Sequence, residues 1–384
     1  MFPYSRQSIN RDDIKAIKLA LNSRLITQGP LIKKFEEKIS KIVKCRYAVG
    51  VNSATSGLHI ACIALGLNKN DYLWTVSNSY VSSANCGRFC GAKVDFVDID
   101  SETFNICIKS LSKKLILAKK KNKLPKILVV VHLAGNPSDM IEIKKLSKKY
   151  NFKIIEDASH ALGSYIKNNP IGNCKYSDLA VFSFHPVKPI TTAEGGMVLT
   201  NSKKLKYQLE VLRSNGVTRD KKKFIQGNFQ LWKYEQHMLG YNYRMNEIQA
   251  ALGISQLKRL KKFIIKRNKI ALKYKELLNN KLIKFQKVGV GNLSSYHLMI
   301  IKINFKKTSK NYNQVFNELR KNKIGVNLHY FPIHLQPYYQ KHCGKLKLHN
   351  SEAYYKSSFS IPNYYDMKDF EQKLIIKKIN KIIK

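Results

Sequence analysis

Between residues 47 and 182 short apolar runs alternate with segments of helical periodicity, and this alternation constrains the fold of the 384-residue chain more than any other feature. Tyr47–Val51, Leu73–Val76, Val94–Val97, Ile127–Val131, Lys153–Glu156 and Leu179–Phe182 read as strands. Thr55–Leu67, Tyr80–Cys90 and Met140–Tyr150 read as helices between them. Strands that alternate with helices predict an α/β unit with a mostly parallel sheet. In such sheets functional groups gather at the carboxyl ends of the strands.

Two helices precede the sheet. Asn10 suits a cap, Asp12 and Asp13 suit the first turn, and Ile14, Ile17 and Leu21 share a face. Pro30 suits a first helical position, followed by Leu31, Phe35, Ile39 and Ile42 at helical spacing. After residue 250 the pattern changes to a long helix (Asn246–Leu278), strand Leu298–Ile303, helix Tyr312–Asn322 and strand Gly325–Leu328. This divides the chain into a large domain over 1–250, with an N-terminal arm, and a small α+β domain over 251–384. The closing KLIIKKINKIIK puts Ile376, Ile379 and Ile383 on one face. It is expected to pack on the small domain rather than on an anionic membrane.

Lys+Arg number 69 against 25 Asp+Glu, a formal charge of +44. Such an excess would suit an anionic partner, whether nucleic acid, membrane or a phosphorylated substrate. The lysines are spread along most of the chain, which points instead to a general preference for Lys, Ile and Asn. The stretch 103–138 lacks acidic residues and reads as a solvated helix and loop. Seven cysteines occur without a CxxC spacing, so neither a metal centre nor a disulfide framework is expected. With no signal-like apolar start, the expectation is a soluble, cytoplasmic protein without membrane or nucleic-acid partners.

Three segments carry chemistry. Ser183-Phe-His-Pro-Val-Lys188-Pro-Ile-Thr-Thr-Ala-Glu-Gly195-Gly196 puts a lysine in a loop leaving a buried strand. Desolvation there lowers an amine's pKa and makes it a nucleophile fit for a Schiff base with an aldehyde cofactor, although an ordinary loop lysine fits the local pattern equally. Lys153-Ile-Ile-Glu-Asp157-Ala-Ser-His160 places a carboxylate at the end of a buried strand, where it needs a partner such as a pyridinium nitrogen. His160 could pack on such a ring or reach its phenolic oxygen; it could equally be a satisfied core histidine. Asn52-Ser53-Ala54-Thr55-Ser56-Gly57 joins a strand to a helix with small residues, so free amides and hydroxyls can approach a phosphate.

The segments LNSRLITQGP, VNSATSGL, EDASHALGS, FSFHPVKPITTAEGG, GYNYRMNEIQAALGISQL and VNLHYFPIHLQPYY resemble the vitamin B6-dependent sugar aminotransferases of the DegT type, from about Tyr4 to the C-terminus. The resemblance implies an aspartate aminotransferase-like fold and pyridoxal 5'-phosphate as cofactor. Lys188 would bind it covalently and Asp157 would pair with its ring nitrogen. Ala54, Thr55 and Ser183 would hold the phosphate, Tyr80 would stack on the ring, and Asn242 would reach the phosphate from a neighbouring subunit, implying a homodimer. Tyr4, Arg24, Leu25, Ile26, Thr27, Asn327, Leu328, His329 and Tyr330 would line a nucleotide-sugar pocket. The implied reaction moves an amino group from L-glutamate to carbon 4 of a UDP-linked 4-keto-6-deoxy-N-acetylhexosamine, as in pseudaminic acid-type biosynthesis. Other amino-sugar routes, legionaminic acid among them, are the alternative. Lys188 argues against the dehydratase branch, which carries histidine there. Phe331 and Trp74 depart from the close pattern and are expected to bear on substrate choice.

Overall fold

A computed structural model describes residues 1–227, 230–278 and 281–383. Lys384, the last residue of the expected terminal helix, lies outside them.

Two helices lead in, α1 (Arg11–Leu21) and α2 (Pro30–Val43). Asn10 caps α1 through a capping box with Asp13. The apolar stripe of α2 buries Phe35 and Ile39 completely. Each such side chain contributes about 1.5–3 kcal/mol. The large sheet comprises β1 (Tyr47–Val51), β2 (Tyr72–Val76), β3 (Lys93–Val97), β4 (Ile127–Val131), β5 (Lys153–Asp157), β6 (Leu179–Ser183) and β7 (Gly196–Thr200). Its order is β1-β7-β6-β5-β4-β2-β3. Strands β2 to β6 run parallel to their neighbours, and β7 runs antiparallel between β1 and β6. Both faces are covered by helices, among them α3 (Ala54–Ala64), α4 (Ser82–Phe89), α5 (Ile108–Lys120), α6 (Met140–Tyr150) and α7 (Lys203–Leu212). The near-continuous apolar character of the inner strands follows from burial on two sides.

Beyond the sheet come α8 (Glu247–Leu257) and α9 (Leu260–Leu277). A separate antiparallel sheet holds β8 (Ile283–Phe285), β9 (Met299–Ile303) and β10 (Ser358–Ile361), in that order. It packs with α10 (Tyr312–Lys321) and α13 (Asp369–Ile382) around Ile301, Leu319, Phe359 and Ile379. Short helices α11 (Pro337–Cys343) and α12 (His349–Tyr355) connect back to the large sheet.

Two expectations need correction. The long helix over 246–278 is broken at Lys258–Arg259, where the backbone bonds tighten to i→i−3. Arg259 is held by Asp13 and the Ser8 carbonyl, which fixes α8 against α1 while α9 runs on to pack against the three-stranded sheet. No Gly or Pro marks the break, so periodicity ran through it. Gly325–Leu328 forms no strand. Its first amide donates to the Phe2 carbonyl at 2.8 Å or less (2.7 Å), and only isolated bridges pair Ile324 with Phe2 and Asn327 with Ser360. The N-terminal arm takes the bonds a ladder would need. The antiparallel β7 had no reading from sequence. No helix among the described residues is long and apolar enough to cross a membrane.

Candidate active site

A cavity of about 580 Å³ opens at the carboxyl ends of the parallel strands, lined by Lys188, Asp157, His160, Tyr80, Tyr330 and Tyr4 among others. Its floor follows from the strand order. β5 ends in Asp157, which is 6% exposed, and β6 ends in Ser183. The chain then loops out over 184–195 and returns as β7. That loop is closed on itself: the Phe184 amide donates to the Gly195 carbonyl, the Thr192 amide donates to the Phe184 carbonyl, and the Thr191 hydroxyl donates to that same carbonyl. Gly196 has a steric role, because a Cβ there would come within 2.7 Å of the Ser53–Ala54 backbone. Gly196 therefore lets the lysine loop close down on the start of α3.

Lys188 sits in this loop, half-buried at the cavity wall. Burial lowers its pKa to about 8, opposed by the negative charges of Asp157 and Glu194. Asp157 accepts at Oδ2 from the Ser83 hydroxyl (2.6 Å) and at Oδ1 from the Ser159 hydroxyl (2.6 Å) and amide (3.2 Å). At the other end, Ser53 caps α3 by accepting from the Ser56 amide. The amides of Ala54 and Thr55, which a helix start cannot satisfy internally, lie at the cavity wall. The Thr55 hydroxyl pairs with that of Ser82 at 2.8 Å.

His160 packs against His297 with ring centroids 4.5 Å apart and the rings tilted by 48°. Burial, and then the charges of Lys188 and His329, hold its pKa well below the usual histidine value. Its Nδ1 accepts from the Ala134 amide at 3.2 Å, so the proton resides on Nε2, 3.2 Å from the Tyr330 hydroxyl. His329 bonds to Ser360 through Nδ1 and is pushed down to about 3 by burial and by Lys188. The Tyr330 phenol is pushed up by burial, and so stays a neutral hydroxyl. His185 and His297, which also line the cavity, are likewise lowered by burial, so its four histidines all favour the neutral form beside the Lys188 amine.

The sequence-derived residues Ala54, Thr55, Tyr80, Asp157, His160, Ser183, Lys188, Tyr4 and 327–330 all line this one cavity. Asn242 and Arg24, Leu25, Ile26 and Thr27 do not; they are exposed elsewhere on the chain, joined by the Thr27–Asn246 bridge. Two expectations about substrate choice are corrected. Trp74 is buried in the core with Lys114 over its ring at 5.0 Å, because its side of β2 faces α5 rather than the cavity. Phe331 is 43% exposed and packs on Tyr355, outside the cavity. Sequence reasoning assigned no role to Ser83, Ser159, Glu194 or His297. Glu194 lay inside the lysine motif and His297 showed no signal beyond its position before an apolar run.

A half-buried amine with a lowered pKa, a carboxylate that accepts three hydrogen bonds and a small-residue helix start fit pyridoxal 5'-phosphate in its aldehyde, ring nitrogen and phosphate. Comparison with known proteins agrees. Residues 7–380 match the model of the DegT/DnrJ/EryC1/StrS aminotransferase family. A UDP-4-amino-4,6-dideoxy-N-acetyl-beta-L-altrosamine transaminase of Campylobacter jejuni is 38% identical over 368 residues, covering 96% of this chain and 93% of that protein. The solved structure of Helicobacter pylori PseC, an aminotransferase of pseudaminic acid biosynthesis, superposes with a TM-score of 0.91 at 31% identity, over 100% of this chain and 99% of that one. The sugar aminotransferase Spr1654 of Streptococcus pneumoniae, solved in its PMP form, gives a TM-score of 0.89 at 26% identity over 100% and 99%. The chain belongs to the DegT/DnrJ/EryC1/StrS aminotransferase family, whose amino transfer runs on pyridoxal 5'-phosphate.

Proposed function

We propose that this aminotransferase moves the amino group of L-glutamate to carbon 4 of a UDP-linked 4-keto-6-deoxy-N-acetylhexosamine, in pseudaminic acid-type sugar biosynthesis. The observation that carries the reading is the 38% identity over 96% of the chain to a transaminase of that product class, in a chain whose Lys188 amine is half-buried and easily deprotonated.

When bound, pyridoxal phosphate supplies an electrophilic carbon for the amine and an electron sink for charge at the donor's α-carbon. The chain's residues do the rest. Lys188 would hold the cofactor through Nζ, and the free Nζ would accept the donor's α-carbon proton and return it. In the second half-reaction the same amine moves a proton to sugar carbon 4. Asp157 holds a proton at the ring nitrogen. Ala54, Thr55 and Ser183 hold the phosphate, and Tyr80 covers the ring. His160, its proton fixed on Nε2, donates toward the ring's phenolic oxygen. Tyr4 and residues 327–330 shape the sugar side of the cavity.

The working unit is a homodimer in this reading. Asn242 and Arg24–Thr27 reach the partner's cavity rather than their own. Support comes from apolar surface left bare on a single copy: Leu231 is 91%, Leu239 78% and Trp232 74% exposed. The basic excess attracts the nucleotide diphosphate. The protein acts in the cytoplasm, where cysteines stay reduced.

Purified holoprotein treated with glutamate should release 2-oxoglutarate in a single turnover and lose the absorbance band of the lysine-bound cofactor. Addition of the UDP-4-keto sugar should restore the absorbance and yield the 4-amino sugar. Absence of either half-reaction contradicts the proposal, and faster turnover of another keto sugar in a panel assigns the other route.

A further inference from the structure

The start of α4 is rich in serine, yet none of its hydroxyls caps the helix. Serines at helix starts ordinarily cap. Here they are turned elsewhere. Ser82 pairs with Thr55 at the phosphate cradle (2.8 Å), and Ser83 donates to Asp157 Oδ2 (2.6 Å). Ser79 Oγ lies 2.7 Å from Ser83 Oγ. A carboxylate only accepts, so the single hydroxyl hydrogen of Ser83 is committed to Asp157, and Ser79 must be the donor to Ser83. The result is a directed chain, Ser79 to Ser83 to Asp157, in which each bond strengthens the next. It is buried, with Ser83 0% and Ser79 4% exposed, and Ser79 and Asp157 border the cavity.

We propose that Ser83 is a positioning residue for amino transfer, acting through Asp157, with Ser79 behind it. The proposal rests on the reading that Asp157 faces the ring nitrogen of the cofactor. Ser83 from α4 and Ser159 from the turn after β5 grip opposite oxygens of the carboxylate, which fixes its plane. Donors to both oxygens also hold the carboxylate as an acceptor turned to the cavity, where it can take a charge-assisted bond from the protonated ring nitrogen. With Ser83 absent, Oδ2 loses its short bond, the carboxylate plane is free to turn away from the ring nitrogen, and the ring N–H, less well held, makes the ring a weaker sink. Ser82 and Ser83 are adjacent, so one helix turn sets both the phosphate end and the nitrogen end of the cofactor.

The test uses holoenzyme loaded with pyridoxal phosphate labelled with ¹⁵N in the ring. In wild-type protein the nitrogen resonance should sit at the protonated position. Ser83→Ala should move it toward the unprotonated position and lower kcat on the order of tenfold, with KM for glutamate little changed. Ser83→Thr, which restores the hydroxyl, should recover both. A Ser83→Ala holoenzyme with the wild-type resonance overturns the proposal, whatever its kcat, because a merely structural role would leave the nitrogen unmoved. Asp157→Asn separates the two claims: if it too keeps the wild-type resonance, the placement of Asp157 at the ring nitrogen fails; if it moves the resonance and Ser83→Ala does not, only the role of Ser83 fails. Should Ser83→Ala not fold, Ser79→Ala must show a smaller displacement in the same direction, and an unmoved resonance there is equally fatal.

Discussion

The amide of Ala134 donates to Nδ1 of His160 at 3.2 Å, and this one bond decides which nitrogen of the imidazole carries its proton. Ala134 adopts a left-handed backbone (φ 60°), a conformation that costs a non-glycine residue energy, so the turn that aims this amide is held by its surroundings. Gly135 beside it lets the turn close, since a Cβ there would lie 1.9 Å from Ser295 Oγ.

A fixed proton on Nε2 makes His160 a donor into the cavity at neutral pH. Burial keeps the ring uncharged, so no activity change from this group should appear as pH falls from 8 to 6. His160→Phe, which keeps the bulk and loses the donor, should lower kcat on the order of tenfold and shift the cofactor's absorbance maximum. His160→Gln retains a donor and should lose less. Equal kcat and spectra for wild type and His160→Phe would remove His160 from the chemistry.

The amine of Lys188 has a pKa near 8, below the usual lysine value of 10.5. For a base, a lowered pKa means that the reactive neutral form persists to lower pH. At pH 7 about a tenth of the amines are free, against roughly one in a few thousand for an ordinary lysine. The rate at which apoenzyme captures pyridoxal phosphate should therefore climb through pH 8 and level above it. Glu194 raises this pKa through its negative charge, so Glu194→Gln should shift the midpoint to lower pH. Stopped-flow absorbance measures both. A midpoint near 10 would show that the amine is not desolvated.

Gly57 lies inside α3, where alanine would ordinarily favour the helix by about 1 kcal/mol. A Cβ at this position would meet Val181 at 3.0 Å, Val198 at 3.1 Å and Val51 at 3.3 Å, all from the sheet. Overpacking of this kind costs about 1–3 kcal/mol. Packing outweighs propensity, and Gly57→Ala should lower the melting temperature of the apoprotein. It should also weaken cofactor binding, because pushing α3 off the sheet moves Ala54 and Thr55. Thermal melts and cofactor titrations would detect the two effects.

Much of the site was legible because its residues end buried strands. Asp157 and Ser183 close apolar runs that had to be inner parallel strands, and Lys188 sits in the loop leaving one of them. The glycines after Glu194 were part of the same motif, although their reasons, close approach of Gly195 to Thr192 and Met245 and of Gly196 to Ser53 and Ala54, needed coordinates. Ser83 was not legible: its bond to Asp157 spans 74 positions, and a serine in a run of serines carries no local signal. Trp74 and Phe331 misled because a departure from a pattern in sequence does not say which way a side chain points. The break between α8 and α9 was missed because it is made by tertiary bonds from Arg259, not by a breaker residue. Asn242 and Arg24–Thr27 show why a single chain gives only part of such a site, since their proposed work lies in another copy.

The central claim is that Lys188, and no other lysine, holds the cofactor. Borohydride reduction of the holoenzyme followed by peptide mass spectrometry tests it most directly. The phosphopyridoxyl group should be found on the peptide containing Lys188, with the absorbance band lost in Lys188→Ala. Label on a different lysine, or an unlabelled Lys188 in protein that was fully active before reduction, would contradict the account.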